Sequence, residues 1–132
     1  MSVMDIKIIA RQYIEAVGTH DLEPLEELFD EGLVATFAGT SCDKATWITA
    51  LDRLLPALIR NEIRETFTDG ASGRVCVVYD FVTNTDAGAV RCVELLTVDG
   101  GKIHEIELLL DRVAFAPVSK ALSERPTTAH VW

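Results

Sequence analysis

The sequence predicts an α+β fold: three N-terminal helices first, then an antiparallel meander of strands. Three observations carry this expectation. Apolar residues recur at helical spacing from the N-terminus to about Asn61, and they alternate at strand spacing from Glu62 onward. The strand-like runs are separated by DGASG, DAG and DGG, segments rich in turn residues.

Taken in order, Ile6, Ile9, Ala10, Tyr13 and Val17 mark one face of a helix from about Val3 to Val17, with Gly18 as a natural stop. Asp21 can cap a short second helix whose Leu22, Leu25, Leu28 and Phe29 form an apolar stripe, with Pro24 tolerated in its first turn and Gly32 ending it. LVATF, ending at Phe37, reads as a short strand. Asp43 then caps a longer helix through KATWITALDRLLPALIRN, which Pro56 should kink or break. Beyond it EIRETFTD, RVCVVYDFVTNT, AVRCVELLTVD and KIHEIELLLDRVAF read as the strands of an antiparallel meander. These elements place a single domain over residues 1–116 and leave 117–132 as a C-terminal tail separable from the core.

A chain of 132 residues suits one core. Hydrophobic residues at 48% and charged residues at 25% exclude a largely disordered chain. The mean hydropathy of +0.21, without an apolar run long enough to span a bilayer, points to apolar surface buried in a pocket or between subunits rather than in a membrane. The net charge of -9 and the lack of a basic stripe argue against nucleic acid as a partner. Cys42, Cys76 and Cys92 are odd in number and lack metal-ligand spacing, so neither a disulfide framework nor a metal site is expected. A reducing cytoplasm is the expected location, and MSVMDIKIIARQ lacks the apolar stretch of an export signal.

Strand parity locates the chemistry. The turn at Asp99-Gly100-Gly101 admits a two-residue loop, which would oppose Glu94 to Glu107, or a three-residue loop. The second pairs Leu96 with His104, Glu94 with Ile106 and Cys92 with Leu108, and is the expected register. It gives an inner face of Val90, Cys92, Glu94, Leu96 and Val98 beside His104, Ile106, Leu108 and Leu110. Glu94 and His104 are the acid-base groups of that face. Arg91, Glu105, Glu107 and Asp111 lie outside with Val93, Leu95 and Leu109, an outer face apolar enough to be covered by a second subunit.

YIEAVGTHDLEPLEELFDEGLVATF, the helix carrying Trp47, and a meander ending in VELLTVDGGKIHEIELLLD resemble the ketosteroid isomerase and SnoaL-like polyketide cyclase branch of the nuclear transport factor 2-like superfamily. The resemblance runs from about Ile6 to Phe115. It implies a cone-shaped fold, a curved antiparallel or mixed sheet packed against three N-terminal helices that close its concave side around an apolar cavity, with no cofactor and a homodimer through the convex face. Ketosteroid isomerases combine an aspartate base with a tyrosine and a protonated acid. Tyr13 matches the tyrosine and Glu94 the acid, whereas Phe37 falls where the isomerases carry the aspartate. The cyclases use an acid-base carboxylate, sometimes with a histidine, for which Glu94 and His104 offer a pair.

The resulting expectation is acid-base chemistry on a small hydrophobic carbonyl compound, as in an isomerase, cyclase or dehydratase. Glu94 and Tyr13 would polarise the oxygen and His104 would serve as base. Phe37, Trp47, Tyr79, Phe81, Cys92, Ile106, Leu108 and Leu110 would line the cavity. The alternative is a non-catalytic binder of an apolar ligand, or a dimeric assembly module on the same fold.

Overall fold

A computed structural model describes residues 2–124 and 131–132. The first helix, α1 (Val3–Gly18), opens on a reciprocal cap: Ser2 Oγ accepts from the Asp5 amide at 3.1 Å and the Asp5 carboxylate accepts from the Ser2 amide at 3.3 Å. Its Ile6, Ala10, Tyr13, Ile14 and Val17 are buried. Gly18 is not the stop that the sequence suggested. It remains helical, and the left-handed residue beyond it is His20, at φ 63°. What requires the glycine is close packing, since a Cβ there would lie 3.0 Å from both the Cβ and the amide nitrogen of Asn61.

The second helix, α2 (Leu25–Leu28), is a single turn. Asp21 does not cap it; its carboxylate accepts from the Glu23 amide at 3.2 Å in a local turn, and Pro24 stands at the helix start. Phe29 leaves the expected stripe to begin β1 (Phe29–Phe37), a longer strand that runs straight through Gly32. Phe29, Leu33, Ala35 and Phe37 share its inward face, and this period of two overrides the helical reading. A tight hairpin with positive φ at Ala38 and Gly39 leads to β2 (Thr40–Cys42).

Asp43 caps α3 (Lys44–Leu54) as expected, accepting from the Thr46 amide at 2.9 Å. Pro56 breaks the helix, leaving one 3₁₀ turn (Leu55–Ala57). The LIRN segment expected to extend the helix instead starts β3 (Leu58–Asp69). The meander continues through β4 (Arg74–Thr83), β5 (Ala89–Asp99) and β6 (Lys102–Leu110). All six strands form one sheet in the order β2-β1-β6-β5-β4-β3, with β1 and β6 parallel and the other neighbours antiparallel. The fold is therefore α+β with a curved mixed sheet. Register shifts after Leu58 and Ile63 in β3 supply local bends.

The β5–β6 hairpin corrects the expected register. Gly100 and Gly101, at φ 58° and 80°, form a two-residue loop that pairs Asp99 with Lys102 and Val98 with Ile103. His104 is then left over as a bulge, because Thr97 already pairs with Glu105. The extra residue restores parity, so Leu96 faces Ile106, Glu94 faces Leu108 and Cys92 faces Leu110, two residues from the register read in the sequence. Like charges are kept apart not by a longer loop but by this bulge.

A further correction concerns the C-terminal region. DRVAF does not prolong the last strand: Asp111 caps α4 (Arg112–Ser123), accepting from the Val113 and Ala114 amides at 2.9 and 3.2 Å. Its Phe115, Val118 and Leu122 are buried with the core, so residues from Pro117 to Ser123 pack on the domain rather than standing apart from it. Trp132 also packs there, its ring centroid 5.2 Å from Phe37, 5.4 Å from Trp47 and 6.1 Å from Phe115. Among the described residues no helix is long and apolar enough to cross a membrane.

Candidate functional site

The site begins with a conflict of solvation. Parity forces Glu94 onto the inward face of β5, where its side chain is only 2% exposed amid apolar neighbours. A carboxylate there needs donors. Two phenols provide them: Tyr13, reaching across from α1, donates to Oε1 at 2.6 Å, and Tyr79, from the adjacent β4, donates to Oε2 at 2.5 Å. Trp47 on α3 completes the chain by donating its indole N–H to the Tyr13 oxygen at 3.2 Å. Phe29 packs edge-on against the Tyr13 ring at 5.2 Å and holds it in place.

Burial dominates the acidity of the group. Removal from water pushes the Glu94 carboxyl up to about 7, with the hydrogen bonds from Tyr13 and Tyr79 pulling the other way. Both tyrosines are raised well above the ordinary phenol range, first by burial and then by the neighbouring carboxylate, so they remain donors. Cys92 is pushed up to about 12, mainly by burial and then by Glu94, and stays a neutral thiol.

Around this knot lies a small cavity in which the space open to the centre of a water molecule is about 20 Å³, room for about one water. Tyr13, Trp47, Tyr79, Phe81, Cys92 and Glu94 line it, with Leu108 and Leu110 from β6. Phe37 and Ile106 do not. Phe37 instead backs Phe115 and Trp132, and Ile106 is packed in the core. Asn61, Phe115 and Trp132 complete the lining together with the apolar faces of α1 and α3.

His104 is not brought to the site. The bulge turns it away from the inward face, with Nε2 3.1 Å from the Asp99 carbonyl oxygen and Nδ1 3.6 Å from Asp30. A one-residue insertion in a strand inverts facing, and parity counted from the wrong loop could not detect it. Asp80 and Asp111 also stand outside: Asp80 lies between Arg64 and Arg91 on the outer face, and Asp111 is the α4 cap. Among the described residues no group of three or more His, Cys, Asp or Glu could hold a metal ion.

Sequence reasoning also missed the direct bond from Tyr79 to Glu94. Its signal was present in the parity of VVYDFVT, but the diagonal placement of Tyr79 relative to Glu94 emerges only from the β4–β5 register.

The profile of the SnoaL-like domain matches residues 10–106. The chain belongs to the SnoaL-like domain family. Its fold is that of nuclear transport factor 2-like proteins. A protein of that type and of unknown function from Cytophaga hutchinsonii superposes with a TM-score of 0.69 at 15% identity, over 83% of this chain and 94% of the other. A protein from Jannaschia sp. CCS1, named for its likeness to SnoaL-like polyketide cyclases, superposes with a TM-score of 0.70 at 16% identity, over 93% and 94% of the two chains. A de novo designed protein with a curved β-sheet reaches a TM-score of 0.79 at 18% identity, over 94% and 98%. Identities this low speak for the fold alone. No curated protein sequence matches.

Proposed function

We propose that this SnoaL-like domain catalyses proton transfer on a small hydrophobic carbonyl compound without a cofactor, in the manner of an isomerase, cyclase or dehydratase. One observation carries the reading: a carboxyl with a pKa near 7 that holds two phenol donors in an apolar chamber. With His104 outside the chamber, the base is Glu94 itself. Ionised, it removes a proton from the carbon next to the carbonyl group. Once protonated it holds the phenols less strongly, and a Tyr13 or Tyr79 hydroxyl is released to the developing enolate oxygen. Glu94 then returns the proton to the same or a neighbouring carbon.

The test is deuterium incorporation from D2O into the α-position of hydrophobic ketones, followed by NMR. Wild type should exceed Glu94→Gln by a factor of about 10² or more; equal rates would remove Glu94 from the mechanism.

A second reading is favoured by one specific observation, the saturation of both Glu94 oxygens by tyrosines beside so small a cavity. In it the domain binds an apolar ligand, or serves in assembly, without turning it over. In either case we propose a cytoplasmic homodimer joined through the convex face. Phe67 is 56% and Leu109 48% exposed there, next to the half-buried Val93 and Leu95. Sedimentation giving a monomer at micromolar concentration would refute the dimer.

A further inference from the structure

We propose that Trp132 occupies the place of the ligand, and that the cavity takes a flat, ring-bearing apolar molecule with an N–H or O–H donor by releasing that indole. The inference rests on the reading of the cavity as a small-molecule site.

The cavity is too small for an organic ligand as it stands. Sites for small organic ligands measure roughly 300–1,000 Å³, whereas the cavity beside Glu94 offers about 20 Å³ to water centres. A lining side chain must leave before anything larger than water can enter. Position in the fold identifies that side chain. Every other lining residue is carried by α1, α3, α4 or a strand of the sheet, so its backbone is fixed by the hydrogen bonds of that element. Trp132 alone lies outside helix and strand, and it is only half-buried.

What holds the indole describes its replacement. Phe37, Trp47 and Phe115 surround it at centroid distances of 5.2–6.1 Å, an aromatic slot suited to a planar ring. Its ring N–H donates to the Ala50 carbonyl oxygen at 2.6 Å, a bond that a ring substituent bearing N–H or O–H can take over. An acceptor on the cavity wall also stands open: Asn61 Oδ1 is the one buried side-chain oxygen without a partner among the described residues, while the Asn61 amide group donates to the Ile14 carbonyl at 3.0 Å. A buried carbonyl left unpaired is costly, and a ligand donor would satisfy it.

The probe is 2-naphthol, which has two fused rings and one hydroxyl, titrated calorimetrically into wild type, Trp132→Ala and Trp132→Phe, with naphthalene as the donor-free control. Trp132→Ala should bind 2-naphthol at least tenfold more tightly than wild type, and Trp132→Phe should fall between. In wild type, saturating 2-naphthol should also strip the Trp132 indole N–H of its protection from hydrogen exchange, a measurement that needs no variant to fold. Equal affinity in wild type and a folded Trp132→Ala, or undiminished protection at saturation, overturns the proposal, as does binding to neither protein. Deuterium incorporation separates the two readings. Loss of exchange in Glu94→Gln with no effect of Trp132→Ala on the probe sinks this proposal alone; tighter probe binding with no exchange in any variant sinks the catalytic reading alone.

Discussion

Tyr79 donates to Glu94 at 2.5 Å from a diagonal position, since Tyr79 stands opposite Cys92 and Glu94 opposite Val77 on the paired strands β4 and β5. The bond joins two residues of one sheet face, whereas the matching bond from Tyr13 ties the sheet to α1. The carboxyl is thus both a chemical group and a fastening between layers.

Because Tyr13 also receives the Trp47 indole N–H, the two phenols are not equivalent. Tyr79→Phe removes one donor from a buried acceptor and should cost about 1–3 kcal/mol in urea denaturation at pH 8. Tyr13→Phe removes one donor and also strands the Trp47 indole, so it should cost more. Both losses should shrink at pH 5, where a protonated carboxyl needs its donors less.

Glu94 itself should impose a pH dependence on stability. Its folded-state value, about 7, lies above the 4.5 of an exposed glutamate, so the folded state binds the proton more tightly. The favourable contribution is full below about pH 4 and is lost as pH rises through about 7, amounting to roughly 3 kcal/mol. Glu94→Gln removes this dependence. The variant should gain on wild type from pH 5 to pH 8 in chemical denaturation, and parallel stability profiles would show that the carboxyl is not perturbed.

One local signal decides the structure at some positions, and a second element intervenes at others. Asp43 capping α3, the break at Pro56 and the inward facing of Glu94 were all legible, because each depends on a cap, a missing amide or a strand period. Phe29 could satisfy either a helical stripe or a strand face, and only pairing near Ile103 settled it. His104 depended on a bulge that parity counting cannot see. The lining role of Trp132 is a contact distant in sequence, with no periodicity to announce it.

Gly18 gives a prediction of opposite sign to helix propensity. In an exposed helix interior, Gly to Ala stabilises by ~1 kcal/mol. Here the added methyl would sit 3.0 Å from the Cβ and the backbone nitrogen of Asn61, a residue fixed in β3. Neither atom is the free end of a flexible chain. Gly18→Ala should therefore destabilise by about 1–3 kcal/mol, read as a lower thermal midpoint; a raised midpoint would mean that α1 and β3 can separate at little cost.

Asp80 should act on stability in the reverse direction from Glu94. It is covered not by the core but by its two arginines, with Arg91 Nε at 2.5 Å and an Arg64 guanidinium nitrogen at 2.7 Å. The hydrogen bond from Arg91 is the main influence holding its carboxyl below the usual aspartate range, helped by that from Arg64 against some desolvation. A lowered folded-state value means that the contribution is present above about pH 4, the value of an unfolded aspartate, and is lost as pH falls through the folded one. The arginines are half-exposed, so water and salt screen the network, and Asp80→Asn should cost only about 1 kcal/mol at pH 7. Denaturation profiles of wild type and variant should converge below pH 3 and draw closer at 1 M salt. A difference that persists in acid would assign Asp80 to packing instead of charge.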